Sequence, residues 1–263
     1  MNPRPPGLKP GNRKGTEMDD MLYVAMSGAK ETLIAQAAAT NNLANASTTG
    51  FLADLNQFRS MPVFGDGYPT RVYAMDESPS SNFDHGSVQY TGRDLDVAVK
   101  DGGWLAVQAI DGSEGYSRRG DLRVDVNGLL MTGNGLPVMG NGGPIALPPF
   151  EKIDIGVDGT VSIRPLGAAT DQLAVIDRIK LVAPQYDLMK KGEDGLYRLP
   201  DGAIAEADPA QRVVSGALMS SNVNVVNEMV NMIELSRRFE LQVKMMKTAE
   251  ESADAASSIV QPI

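Results

Sequence analysis

The chain contains no cysteine in 263 residues, which excludes disulfides, thiolate metal sites and cysteine nucleophiles together. It has one histidine, His85, so a zinc site built on histidines is excluded as well. No apolar run approaches the ~20 residues that cross a bilayer, which argues against membrane insertion. Residues 1–17 carry charge and proline but no apolar stretch of the sort a cleaved secretory signal requires. Lys and Arg form no dense cluster and the formal net charge is −9. A nucleic-acid face needs the opposite balance, so that partner class is set aside.

What is present is an ordinary globular balance, 42% hydrophobic and 22% charged, in a chain long enough for one large domain or two small ones. The 27 glycines concentrate in the middle, where they imply many tight turns and hence β structure. Pro and Gly make residues 1–17 read as a flexible tail, and Met18 and Met21 stand as alternative starts.

Residues 19–45 read as a helix. Asp19 and Asp20 suit a helix N-terminus, no proline interrupts, and Leu22, Met26, Ala29, Leu33 and Ala37 recur at steps of three and four to form a narrow apolar seam. Small residues (Ala25, Ala29, Ala35, Ala37, Ala38, Ala39) permit close approach of a neighbouring helix. The run ends in Asn41, Asn42, Leu43, Asn45, then Gly50 and Phe51, a breaker-rich stretch. Residues 51–85 are punctuated by proline and glycine and read as an extended connector with one or two short strands.

Over 86–219 the period becomes two. Trp104-Leu-Ala-Val-Gln, Leu122-Arg-Val-Asp-Val and Ile153-Asp-Ile-Gly-Val are separated by Asp-Gly and Asn-Gly pairs such as Asp101-Gly102, Asp111-Gly112, Asn127-Gly128 and Asp158-Gly159. These pairs predict two-residue type I′ hairpins, in which both central residues have positive φ, and so a mainly antiparallel β domain. Over 220–263 the helical period returns: Val225, Met229, Met232, Phe239, Val243 and Met246 form a heptad-like ladder. Met229, Met232, Met245 and Met246 offer an adaptable surface or plain core filling. The whole reads as α+β, with terminal helices that pair in coiled-coil fashion as an assembly domain around a central β domain.

No motif for catalysis or cofactor binding stands out. Asp94 and Asp96 are a carboxylate pair, but solvated or turn-capping carboxylates are commoner than acid–base pairs, and His85 reads as a turn residue. Gly133-Asn-Gly135 lacks the third glycine and the βαβ context of a phosphate loop. Asn45-Ala-Ser47 fits a glycosylation sequon, a frequent chance match. Asn41, Asn42 and Asn45 suit either helix capping or pairing with a neighbouring subunit's backbone.

The stretch Ala39-Thr-Asn-Asn-Leu-Ala-Asn-Ala-Ser-Thr-Thr-Gly-Phe51, together with Gly216-Ala-Leu-Met-Ser-Ser-Asn-Val ahead of the last helix, resembles the two signatures of the flagellar rod and hook protein family. Arg93-Asp-Leu-Asp-Val-Ala-Val, Gly103-Trp-Leu-Ala-Val-Gln and Gly115-Tyr-Ser-Arg-Arg-Gly-Asp-Leu look like that family's central β domain. Phe51-Leu-Ala-Asp-Leu-Asn-Gln-Phe-Arg-Ser-Met-Pro-Val resembles the proximal-rod type. The resemblance implies a non-enzymatic structural subunit of the basal-body rod that crosses the periplasm and transmits torque. It further implies export through the flagellar type III apparatus without a cleaved signal, and partnership with copies of itself and other axial proteins. No cofactor or small-molecule substrate is implied. The interface it implies comprises the seam residues of both helices with Asn41, Asn42, Leu43, Asn45, Gly50 and Phe51. A distal-rod or hook sibling, a secreted β-domain binding module and a polysaccharide hydrolase are the competing readings.

Overall fold

The computed structural model describes residues 13–62, 72–100, 102–167 and 172–260. Helix α1 runs Arg13–Ala44 and helix α2 runs Val225–Val260, with short strands between them, an α+β arrangement. The expected flexible tail needs correction in its last part: residues 13–17 are already helical, since Arg, Lys and Glu are good helix formers and the last proline of this region is Pro10. Residues 1–12 lie outside the described residues. Within the connector over 51–85 the strands are longer than the one or two short ones expected: Asp54–Pro62 and Val72–Ser81 pair as a two-stranded sheet.

The chain divides into two compact units. One comprises Met1–Thr40, Asn56–Pro79 and Val226–Ile263; the other comprises Asn41–Leu55 and Ser80–Val225. The first holds most of both helices and the long hairpin. The second holds the remaining strands in several small sheets.

The largest of these sheets has five strands, in the order Leu181–Val182, Trp104–Gln108, Glu114–Ser117, Tyr197–Arg198, Lys190–Lys191, each neighbouring pair antiparallel. A three-stranded antiparallel sheet places Thr160–Pro165 between Phe150–Ile155 and Ala174–Arg178. Strand Trp104–Gln108 is buried on both faces. Leu105 joins a core with Leu122, Val138, Ile163 and Leu181, while Trp104 and Ala106 join a second cluster with Tyr116, Val182 and Tyr197 on the opposite side. This explains why its first four residues are all apolar: alternate side chains point to opposite faces, and here both faces are covered.

The turns correct one expectation. Among the described residues only Asp201 is a non-glycine with positive φ, so the Asp-Gly and Asn-Gly pairs at 111–112, 127–128, 158–159 and 194–195 do not form type I′ turns. Asp101 lies outside the described residues. Gly112, Gly128, Gly159 and Gly195 have φ between 76° and 85°, and each donates its N–H to the carbonyl three residues back. The glycine therefore sits at the left-handed position that closes a type I turn, the three-residue hairpin form. The Asp carboxylates instead accept the N–H two residues on, as Asp111 does from Ser113 and Asp158 from Thr160. These bonds, with that from the hydroxyl first, hold both carboxyls below the usual range. For Asp194 the larger cause is the hydrogen bond from Arg198.

Candidate functional site: an asparagine-tied junction and two helix faces

Helix α1 ends where Asn, Ser, Thr and Gly take over, and the asparagines act at once as local ties. Asn42 lies against the backbone of Asp54 as a strand would: its Nδ2 donates to the Asp54 carbonyl at 2.9 Å and its Oδ1 accepts the Asp54 N–H at 2.7 Å. Asn41 Nδ2 reaches the Asp54 carboxylate at 2.7 Å. The same carboxylate takes Lys191 Nζ at 2.6 Å, and that ammonium stands 4.5 Å from the Phe51 ring centre. Asn45 donates to the Asn41 carbonyl and accepts from Thr48 Oγ1. Asn45 thus bonds a carbonyl of the helix's own last turn, whereas Asn41 and Asn42 reach beyond the helix to Asp54 within the chain.

Gly50 follows with φ +68, and a Cβ there would stand 2.4 Å from the backbone of Arg118. Only glycine fits both the conformation and the space. Its N–H donates to the Met219 carbonyl. Asn42 (2% exposed) and Gly50 are thus both engaged within the chain. Leu43 and Phe51 are half-buried.

Asn222, in the Ser-Ser-Asn-Val segment before α2, completes the junction. Its Oδ1 accepts the Ala53 N–H at 2.8 Å, and its Nδ2 donates to the carbonyls of Asn82 and Asp84 at 2.8 and 3.0 Å. One side chain therefore ties three backbone segments. Sequence reasoning quoted this residue within a signature but gave it no role.

Sequence reasoning also missed Arg118, which is buried with no acidic partner among the described residues. Its guanidinium lies 4.5 Å from the Trp104 ring and 5.8 Å from the Tyr186 ring, a cation–π setting. Nη1 donates to the Phe83 carbonyl at 3.1 Å and stands 3.3 Å from His85 Nδ1. Phe83 stacks on Tyr186 at 4.7 Å. Burial lowers the Arg118 pKa and pushes the Tyr116 and Tyr197 hydroxyls up to about 12. Several of the few aromatics are thus gathered around one cation that fixes the segment 83–85. The lone histidine serves this packing.

Asp94 is exposed while Asp96 is buried and accepts from Thr91 Oγ1 at 2.7 Å, so the pair shares no common environment. Among the described residues no group of His, Asp and Glu is arranged to hold a metal, and no helix is long and apolar enough to cross a membrane.

The helical unit has a different character. Along α1 the buried positions among the described residues are Ala25, Ala29, Glu31, Thr32, Ala35, Ala39 and Asn42, with Gly28 and Ile34 among the half-buried ones. Ala35 and Ala39 pack with Leu235 and Met232 of α2. Thr32 Oγ1 donates to Gln242 Oε1 at 3.0 Å, and a Cβ on Gly28 would meet Gln242 Nε2 at 2.8 Å. The small residues thus do bring a helix close. Of the expected α1 seam, Ala29 is buried and Leu22, Met26, Leu33 and Ala37 are exposed. On α2 the covered positions are Met232, Leu235, Phe239, Gln242, Met246 and Ala249, whereas Val225, Met229 and Val243 are exposed. The covered positions coincide with the expected ladder at Met232, Phe239 and Met246 and lie one residue before it at Leu235 and Gln242. A second set of exposed apolar side chains, Val226, Val230, Ile233 and Leu241, runs along α2 as well.

Three family models match the chain: "Flagella basal body rod protein" over residues 22–51, "Flagellar hook protein FlgE/F/G D1 domain" over 98–163, and "Flagellar basal body rod FlgEFG protein C-terminal" over 214–259. The flagellar basal-body rod protein FlgF of Escherichia coli K12 is 43% identical over 92% of this chain and 99% of its own length. The chain belongs to the flagellar basal-body rod protein family. FlgF of Salmonella typhimurium is 42% identical over the same shares, and a rod protein FlgG of Buchnera aphidicola is 30% identical over 90% of this chain and 98% of its own length. The asparagine ties and the small-residue helix contact therefore lie largely within the family's terminal matches, while Arg118, Trp104 and Tyr116 fall in the middle one and Phe83, Tyr186 and Tyr197 between the matches.

Proposed function

We propose that this rod-family chain is a non-enzymatic structural subunit of the proximal rod, built into an axial tube through apolar helix faces that one copy leaves uncovered. The observation that carries this reading is the inverted burial of the helices, with small residues inside and Leu33, Val230 and Ile233 outside. Covering what remains exposed of one such side chain is worth about 1 kcal/mol, and a subunit presenting several has reason to polymerise. Contacts that repeat by a rotation that does not close give a helical filament.

In this reading the two helices pair within the chain in coiled-coil fashion. Leu22, Met26, Leu33 and Ala37 on α1, with Val225, Met229 and Val243 on α2, meet copies of this chain or other axial proteins. The relatives named FlgF favour the proximal position. Passage through the flagellar export apparatus and a site across the periplasm follow from family membership, and the absence of cysteine suits a chain that folds after export without oxidative help.

The test replaces the chromosomal copy with Leu33→Asp or Val230→Asp. Both residues are about half exposed, so the charge does not enter the packed interior. The expected result is loss of swimming and basal bodies that lack a completed rod. Normal swimming with the variant built into the rod would overturn the proposed interface.

A further inference from the structure

Three Asn-Gly pairs lie between Arg123 and Lys152: Asn127-Gly128, Asn134-Gly135 and Asn141-Gly142. All three asparagines are exposed. An Asn-Gly pair is the most reactive setting for spontaneous loss of the side-chain amide, because glycine places no side chain in the way of its own backbone nitrogen. The reaction needs that nitrogen to reach the asparagine Cγ, so it depends on whether the fold leaves both groups free.

The fold treats the three pairs differently. At Asn127 the side-chain Nδ2 donates to Asp125 Oδ2 at 2.9 Å, and the Gly128 N–H donates to the Asp125 carbonyl at 2.9 Å. At Asn134 the side-chain Oδ1 accepts from Thr132 Oγ1, and the Gly135 N–H donates to the Thr132 carbonyl at 2.8 Å. In both turns the electrophile and the nucleophile are tied, and Gly128 and Gly135 have positive φ. At Asn141 the loop is closed on either side of the pair, by the Gly140 N–H donating to the Gly143 carbonyl at 2.7 Å. The Asn141 backbone N–H points to Asp177 Oδ1 at 3.4 Å. Neither the Asn141 carboxamide nor the Gly142 N–H has a hydrogen-bond partner among the described residues. Gly142 has open space around the position of a Cβ.

We propose that Asn141 is a site of spontaneous deamidation in the folded chain, selected over two identical dipeptides by its free amide and free neighbouring nitrogen. The Gly142 nitrogen, on losing its proton, bonds to the Asn141 Cγ, and the side-chain nitrogen leaves as ammonia, giving a cyclic imide. Water then opens the ring at either carbonyl. One opening leaves aspartate; the other leaves isoaspartate, in which the main chain runs through the side-chain carbon. The sum is amide plus water to carboxylate plus ammonium, with no oxidation. The product puts a negative charge beside Asp177, at the rim of a cleft that Arg178 and Asp208 also line, in a chain already carrying −9.

The experiment uses the full chain, aged in mildly alkaline buffer and digested with trypsin. One peptide, residues 124–152, contains all three asparagines, and fragmentation assigns the mass gain to each. The folded chain should convert Asn141 several-fold faster than Asn127 or Asn134, and the chain held in urea should convert all three at similar rates. Gly142→Ala, which meets no neighbour, should slow Asn141 several-fold in the folded chain with an unchanged circular dichroism spectrum. Equal conversion of the three sites in the folded chain overturns the proposal. So does an intact Asn141 beside a reactive urea control, or a Gly142→Ala chain that converts as fast as the parent.

Discussion

In the β unit the largest side chains are the most buried. Trp104, Tyr116, Leu105 and Ile163 have no exposed surface, and the guanidinium of Arg118 is enclosed among aromatic rings. In the helical unit the order is reversed. Ala25, Ala29, Ala35 and Ala39 are buried, while Leu22, Met26, Leu33, Val230, Ile233 and Leu241 face solvent. Both units are built from the same ordinary apolar composition, so the difference lies in where it is placed. A unit that buries its bulk is complete as one copy. A unit whose first helix buries mainly alanines, and which leaves most of its large apolar side chains exposed around a few covered ones such as Leu235, gains comparatively less from folding alone, since apolar area removed from water sets the gain. The β unit is therefore read as the self-sufficient part and the helical unit as the part that needs neighbours.

The strongest way to break this comparison is to attack the complete unit. Trp104→Ala removes the centre of the aromatic cluster and leaves Arg118 without one of its two ring partners. A loss of about 4 kcal/mol is expected, in the middle of the range for a buried aromatic. Chemical denaturation of the isolated chain, followed by tyrosine fluorescence, checks it. A loss below about 1 kcal/mol would mean that the cluster is not the centre of the unit's stability.

A smaller effect is expected at the junction. Asn222→Ala removes the partner of one N–H and two carbonyls, at Ala53, Asn82 and Asp84. Leaving such groups unpaired costs about 2 kcal/mol where water reaches them poorly. The accompanying sign is local: the Ala53 amide, protected in the parent, should exchange its hydrogen much faster. Unchanged exchange at Ala53 would show that the tie is dispensable.

Much of this arrangement is legible in the sequence. The apolar run at 104–107 and the alternation at 153–155 mark strands, the helix period marks both ends of the chain, and the asparagine signatures mark the junction. What was not legible has physical causes. Counting large apolar residues found the α1 stripe through Leu22, Met26 and Leu33, yet the covered stripe is the one through Ala25, Ala29, Ala35 and Ala39, because small side chains let backbones approach closely. A pattern of apolarity alone does not say which of two stripes faces inward. The Asp-Gly pairs announced turns but not their type, since the same pair serves a type I turn closed by a left-handed glycine. Arg118 gave no signal, because a buried cation held by rings and carbonyls has no partner of opposite charge to be spotted nearby in sequence.

The smallest expected effect on stability discriminates best between the two kinds of surface. Leu235 and Ile233 are two positions apart on α2; the first is 5% exposed and packs with Ala35 and Ala39, and the second is 56% exposed. Asp at 235 puts a charge into the helix contact, and the helical unit of the isolated chain should lose protease resistance. Asp at 233 enters solvent, and a surface change of this kind moves stability by no more than about 0.5 kcal/mol. Limited proteolysis and denaturation of the Ile233→Asp chain should therefore match the parent. Its incorporation into rods, read by swimming and by electron microscopy of basal bodies, should nevertheless be lost. Equal destabilisation by the two substitutions would mean that Ile233 is covered within one copy. Full incorporation of a stable Ile233→Asp chain would mean that this face is left bare in the rod as well. Only a stable chain that fails to assemble separates the surface a subunit closes for itself from the surface it leaves for others.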